Sequence, residues 1–209
     1  IYNGYDPELF APRTVRTPQF RVTYTGRLLS TAMRNPELLL RAVARLAAEG
    51  EITPETFRIR WFTDAASRRI IEEEATRYAC TPFMDYPGMV PATAVPDVLN
   101  DSSVLLLLTN RAAPDGPQGI MTTKFFEALA VEKPILCVRR DEGCLEQTIA
   151  ETRSGLSAHN EEEVHRFLLH HYRRWQTDGF TTADPDREAV RRFSRRAQAG
   201  QFAQLFQSL

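Results

Sequence analysis

The sequence predicts an α/β fold, a doubly wound, Rossmann-like parallel sheet with helices on both faces. Apolar strand-like runs alternate with amphipathic helical segments almost throughout, and the repeated β-then-α order is the mark of that architecture. Residues 104–108 read Val-Leu-Leu-Leu-Leu. An unbroken apolar run suits a strand covered on both sides, as in a parallel sheet. The chain has 209 residues, 43% of them hydrophobic, which suffices for one sizeable core.

Each element can be justified in turn. FRVTYT at 20–25 reads as the first strand. A helix follows over 36–48, with Asn35 as N-cap and Pro36 at its first position, the place where proline's missing N–H does no harm. Leu39, Val43 and Leu46 recur at helical spacing, and Gly50 stops the helix. FRIRWF at 57–62 is the second strand, 65–78 a charged helix and 80–84 a short strand. After a loop containing Pro87, Gly88 and Pro91, a helix near 95–100 leads into the apolar strand 104–108. A long loop, 109–119, contains two prolines and two glycines. The pattern then predicts a helix over 123–131, a strand over 135–138, a helix over 144–152, a strand over 155–158 and a long helix over 161–176. Asp184-Pro185 is expected to open one last helix running to the C-terminus.

Composition excludes several functions. The net charge of −1 leaves no electrostatic footprint for nucleic acid or an anionic membrane. No apolar run nears the ~20 residues of a membrane span. The chain opens at Ile1 on a turn-like Asn3-Gly4 and has no signal peptide, so it reads as a fragment of a longer cytoplasmic protein. Cys80, Cys137 and Cys144 lack CxxC spacing and read as reduced thiols. His165, His170 and His171 share no common ligand face and read as solvated helix residues, so no metal site is expected. No GxGxxG follows a strand, and neither GxxxxGK[ST] nor GxSxG occurs, which disfavours nicotinamide or flavin folds, P-loop enzymes and α/β-hydrolases.

Doubly wound sheets bind ligands beyond the carboxyl ends of their strands, which selects three loops. The first holds Gly26-Arg27 and then Arg34; two guanidiniums around a strand–helix loop suit a diphosphate, since their forks match phosphate oxygens. An arginine-rich surface would produce the same pair. The second, 86–90, contains Met89 and Val90. The third reads Gly119-Ile120-Met121-Thr122-Thr123-Lys124-Phe125-Phe126-Glu127. A helix start offers free N–H groups and a positive dipole end to phosphate. Lys124 is one of two lysines against two dozen arginines. Glu127 lies one turn on, either to accept both hydroxyls of a ribose or simply to pair with Lys124 at the surface.

Taken together, these residues resemble the C-terminal domain of the family 4 GT-B glycosyltransferases, retaining sugar transferases, over nearly the whole chain. Asn3-Gly4-Tyr5-Asp6 with Phe10 is similar to the family's "PNGvD…F", Gly26-Arg27-Leu28 to "vGRL", and 34–42 to "KGxxxLLxA". Residues 123–130 with Lys133-Pro134-Ile135 look like "TKxFEyLAxGKPI". Gly155 and 160–164 resemble the stretch before the family's late helix. The resemblance implies a nucleotide-sugar donor held by Arg27 and Arg34 at its diphosphate, aided by Gly26 and Lys124. It implies Glu127 on the ribose, the backbone from Gly119 to Thr123 facing sugar and phosphates, and the 86–90 loop, Met89 and Val90 included, against the base. It further implies a donor domain over 1–183 and a C-terminal helical segment over 184–209 that reaches a missing N-terminal domain, through which membrane association could arise. Two departures stand out. The first carboxylate of the family's E-x7-E pair falls at Gly119, so backbone N–H groups or Asp115 would hold the sugar, and the family's lysine in the first loop is Arg34. The expected reaction is metal-free, cofactor-free sugar transfer in cell-surface polysaccharide synthesis, with the isolated fragment close to inactive. A nucleotide-sugar 2-epimerase and a non-catalytic assembly module are the alternatives.

Overall fold

The computed structural model describes residues 2–109, 121–138 and 143–208. Six strands, β1 (Phe20–Thr25), β2 (Phe57–Phe62), β3 (Met84–Asp85), β4 (Val104–Leu108), β5 (Ile135–Val138) and β6 (Gly155–Ala158), form one sheet in the order β3-β2-β1-β4-β5-β6. Every pair is parallel, and β1 lies in full register with β2, Phe20 opposite Phe57 through Thr25 opposite Phe62. That is the doubly wound order in which the chain reverses direction across the sheet between β1 and β4.

The sheet divides two cores, and the strands feed both by simple alternation. In β4, Val104, Leu106 and Leu108 face one core and Leu105 and Leu107 the other; in β5, Leu136 and Val138 oppose Ile135 and Cys137. This is why those runs contain no polar residue. The first core receives α1 (Glu37–Ala48), α2 (Ala65–Arg77) and α6 (Glu161–Asp178), with Phe20, Phe57, Tyr172 and Trp175 as an aromatic centre. The second receives α3 (Val95–Asn100), α4 (Thr123–Ala130), α5 (Gly143–Thr152) and α7 (Arg187–Arg191).

Side-chain caps fix several boundaries, and α1 begins one residue later than expected, with Pro36 rather than Asn35 at its N-cap. Asn35 Oδ1 accepts from the Glu37 N–H at 2.9 Å, Asp64 caps α2 at 2.8 Å through Ser67, and Asn160 caps α6 at 2.9 Å through Glu163. Gly179 closes α6 at φ +75°.

Three further expectations need correction. The strand expected over 80–84 is a one-turn 3-10 helix, Thr81–Phe83, and only Met84–Asp85 joins the sheet; Pro82 sits in that turn, where it has no N–H for a ladder. The single last helix is two, α7 and α8 (Arg195–Gln207). Phe193 packs on Phe126 with ring centroids 5.6 Å apart, Ser194 pairs with Tyr5, and Ser194 then caps a new helix. Tertiary contact thus breaks a locally helical pattern.

The third correction concerns the histidines, which are not all solvated. His165 and His171 share the buried arc of α6 with Val164, Leu168, Tyr172 and Trp175. His165 Nε2 lies 2.6 Å from Glu49 Oε2. The His171 ring meets Phe167 edge-on at 4.5 Å, and burial, then His170 and Arg174, push it down to about 3, so it is neutral. Among the described residues no group of three His, Cys, Asp or Glu side chains is arranged to hold a metal ion. Nor is any described helix long and apolar enough to cross a membrane.

Candidate functional site

At the switch between β1 and β4 the two connections leave toward opposite faces, β1 toward α1 and β4 toward α4. A crevice therefore opens at the carboxyl ends of these strands. Gly26 ends β1 there. Its N–H donates to Phe62 O at 2.8 Å, and its φ is +120°, a conformation that side-chain-bearing residues rarely adopt. A Cβ at this position would stand 1.7 Å from Lys124 Nζ, so any side chain here would displace the lysine.

Lys124 therefore reaches from the first turn of α4 across the crevice to the backbone of β1. Its ammonium lies 5.3 Å from the centre of the Tyr24 ring, a cation–π distance. Burial, reinforced by Arg34 and opposed by Glu127, pushes it down to about 8. The simple surface Lys–Glu pair is thus excluded, since the lysine turns inward toward β1. Arg34 approaches the same point from the loop before α1. Its Nη1 donates to Arg27 O at 2.6 Å and lies 3.5 Å from Tyr24 Oη, which itself donates to Arg27 O at 2.8 Å. Arg27 is more exposed, and its Nε pairs with Asp64 Oδ2 at 3.0 Å. That carboxylate also caps α2, so the helix cap and the loop arginine share one anchor.

Glu127 is half-buried one turn along α4. Burial raises its carboxyl, against the pull of Lys124 and of Arg195 at the start of α8. Thr122 and Thr123 are exposed at the start of α4, where the Thr122 side chain makes no capping hydrogen bond and the Phe125 N–H donates to Thr122 O at 3.0 Å. Met121 points the other way, into the second core, with Thr148 Oγ1 3.6 Å from its Sδ. Gly119, Ile120 and Asp115 lie outside the described residues.

The 86–90 loop leaves β3 on the same edge of the sheet, two strands from β1, or about 9–10 Å at ordinary strand spacing. Met89 is 59% exposed and Val90 partly so. Arg68 lies over the Tyr86 ring at 4.8 Å, and burial, then Glu72, pushes the Tyr86 hydroxyl up to about 12.

The structure thus brings Gly26, Arg27, Arg34, Lys124 and Glu127 together and sets Met89 and Val90 apart along the same edge. Sequence reasoning missed Tyr24, Asp64 and Arg195. Asp64 could have been found from its capping position three residues before Ser67. Tyr24 and Arg195 carry no local signal, because each owes its place to another element.

No family model and no curated protein sequence matches the chain. Solved structures do. Sucrose-phosphate synthase from Thermosynechococcus elongatus aligns over 99% of this chain and 51% of its own, with TM-score 0.68 and 19% identity. HepE from Anabaena, solved with UDP and glucose, aligns over 100% of this chain and 56% of its own, with TM-score 0.68 and 16% identity. The C-terminal domain of LpcC, a group 1 family glycosyl transferase from Francisella tularensis, aligns over 90% of this chain and 96% of its own, with TM-score 0.61 and 12% identity. The chain spans about half the length of the first and second of these. Six parallel strands in doubly wound order, covering about half of such enzymes, have the fold of the C-terminal domain of a group 1, GT-B glycosyltransferase.

Proposed function

We propose that this chain is the donor-binding half of a retaining, hexosyltransferase-type glycosyltransferase that acts in the cytoplasm on a nucleotide-sugar donor, in cell-surface polysaccharide synthesis. One observation carries the reading. A half-buried ammonium, Lys124, is lodged against the Cα of Gly26 at the switch point, next to a second cation, Arg34. A desolvated cation of this kind is unfavourable until an anion meets it. A diphosphate in the crevice would do so, flanked by Arg34, Arg27 and the N-terminal turn of α4.

From there the ribose hydroxyls fall to Glu127 and the base to the 86–90 loop with Met89 and Val90. The sugar lies toward Thr122, Thr123 and the backbone of Gly119, Ile120 and Met121. As the bond from the sugar's anomeric carbon to the diphosphate oxygen breaks, the electron pair leaves on that oxygen. Arg27, Arg34 and Lys124 stabilise the growing charge in place of a metal. UDP is the first nucleotide to try, since HepE has been solved with UDP and with UDP-glucose. Residues 184–209 form the segment that turns toward an N-terminal domain. The exposed Phe202, Leu205 and Phe206 of α8 suit such a contact, and membrane association, where it occurs, belongs to that half.

Calorimetry of the full-length protein with UDP-, GDP- and ADP-sugars tests the reading. Binding by one of the three that Arg34→Ala and Glu127→Ala each weaken at least tenfold is expected. No binding, or binding indifferent to both substitutions, would remove the site assignment. Donor turnover without any acceptor would point to a 2-epimerase instead.

A further inference from the structure

We propose that Tyr24 is a positioning residue that seats two diphosphate-binding cations at once, Lys124 against its ring face and Arg34 through the carbonyl that its hydroxyl holds. The inference rests on the proposed donor reading and names a residue which that reading does not use. Tyr24 is the second-last residue of β1, two before the glycine that ends the strand at the switch point.

Tyr24 is fixed from behind. It is 3% exposed and belongs to the first core. In the sheet it lies opposite Trp61 of β2, and the two rings pack with centroids 5.3 Å apart. The Trp61 indole is held in turn, its Nε1 donating to Met84 Sδ at 3.1 Å. The phenol ring is therefore a firm surface on which mobile side chains can be placed.

Its face and its hydroxyl meet different cations. The Lys124 ammonium stands 5.3 Å from the ring centre, where the negative face of the ring meets the charge. Glu127 attracts the same ammonium but, among the described residues, makes no ion pair with it. At the other end Tyr24 Oη donates to Arg27 O at 2.8 Å, and Arg34 Nη1 donates to the same oxygen at 2.6 Å. A carbonyl oxygen has two lone pairs, and the tyrosine and the arginine share them. Arg34 Nη1 also lies 3.5 Å from Tyr24 Oη. Burial raises the Tyr24 phenol, against the pull of Arg34, so the hydroxyl keeps its proton and remains a donor. One neutral side chain thus stands between two like charges and gives each a separate foothold beside Gly26.

The face and the hydroxyl can be altered one at a time in the full-length protein. The probe is UDP, GDP or ADP, whichever binds most tightly, with affinities read by calorimetry from about pH 6.5 to 9.5, a range that brackets Lys124. Tyr24→Phe removes the hydroxyl and keeps the ring. It should weaken the nucleotide about three- to tenfold and lose its effect in an Arg34→Ala background. The basic limb of the profile, set by Lys124, should stay where it is. Tyr24→Phe is then repeated with phenylalanine carrying one and then three ring fluorines, which drain the negative face while hardly changing its size. The basic limb should now move to lower pH in steps, because the ammonium loses the face that favours its charged form. A tyrosine that only fills the core would change melting temperatures and leave the limb alone. An unmoved limb across the fluorinated series, or an equal loss from Tyr24→Phe with Arg34 already gone, overturns the proposal and leaves the donor site standing. If Arg34→Ala and Lys124→Met both bind nucleotide like the parent, or if none of the three nucleotides binds, the donor reading itself fails and the role of Tyr24 with it.

Discussion

A single methyl group on Gly26 probes the packing on which the site depends. In Gly26→Ala the new Cβ would lie 1.7 Å from Lys124 Nζ and 2.7 Å from Cε, on a backbone held at φ +120°. Strain of that backbone type costs about 1–3 kcal/mol. The collision itself costs less, because the end of a lysine side chain can swing away, but Lys124 then loses its place at the switch point. For a domain of this size each kcal/mol lowers the melting temperature by about 2–4 °C, so the variant should melt about 2–12 °C below the parent. A hydrogen bond to a charged group contributes about 1.5–3 kcal/mol, so the lost diphosphate contact should weaken UDP about 10- to 100-fold. Thermal melts and calorimetry measure the two effects, and a cycle with Lys124→Ala separates them. Backbone strain persists in both backgrounds, whereas the collision vanishes once Lys124 is shortened. A coupling of at least ~0.5 kcal/mol is therefore expected. If the two substitutions are additive within about 0.3 kcal/mol in both stability and binding, Lys124 does not rest on Gly26 and the reasoning is wrong.

Further consequences follow from other parts of the structure. Lys124 is held down at about 8, well below an unfolded lysine, so below pH 8 its charge costs the fold stability and that cost fades as pH rises from about 8 toward 10.5. A bound diphosphate favours the charged form, so UDP affinity should fall as pH rises through about 8, with proton uptake visible as buffer-dependent heats. A flat profile from pH 7 to 9.5, matching that of Lys124→Met, would refute this. Glu49 is held below the usual carboxylate range by its hydrogen bond from His165 and then by Arg45. Its contribution is present above the unfolded value and lost as pH falls through the folded one; Glu49→Gln should flatten that acid loss in a series of melts from pH 6 to 3. Arg60 is buried in β2, where it pairs with Asp101 Oδ2 at 2.9 Å and donates to Asp101 O at 2.8 Å. Arg60→Ala leaves that partly exposed carboxylate with Arg21 alone and should cost about 1–3 kcal/mol in denaturant titrations, without changing nucleotide affinity in the folded protein. Phe206→Ser on exposed α8 should alter the stability of this chain by less than ~0.5 kcal/mol yet lower turnover of the full-length enzyme; unchanged turnover would argue against an interdomain role for that face.

Much of the fold was legible because strands and helices here are built from strong local periodicity. The unbroken apolar runs of β4 and β5 and the stop of α1 at Gly50 are each decided by a few neighbouring residues and by the side chain's own chemistry. The crevice residues Gly26, Arg34, Lys124 and Glu127 could be nominated for the same reason, since each lies where a strand ends or a helix starts.

Pairing, direction and partnership were beyond local chemistry. Periodicity could not say that the order would be β3-β2-β1-β4-β5-β6, which puts the switch point between β1 and β4. Nor could it say that Lys124 turns away from a surface pair with Glu127 to lie against Gly26 and Tyr24. The merged last helix and the misread His165 and His171 belong to the same class, because Phe126, Tyr5 and Glu49 act on them from far along the chain. The sequence by itself determined which segments are strand or helix and which residue types stand at their ends, because those depend on neighbours within a turn or two. Only the tertiary structure decided which ends meet, because a half-buried cation or an aromatic contact takes its energy from residues the chain brings together by folding.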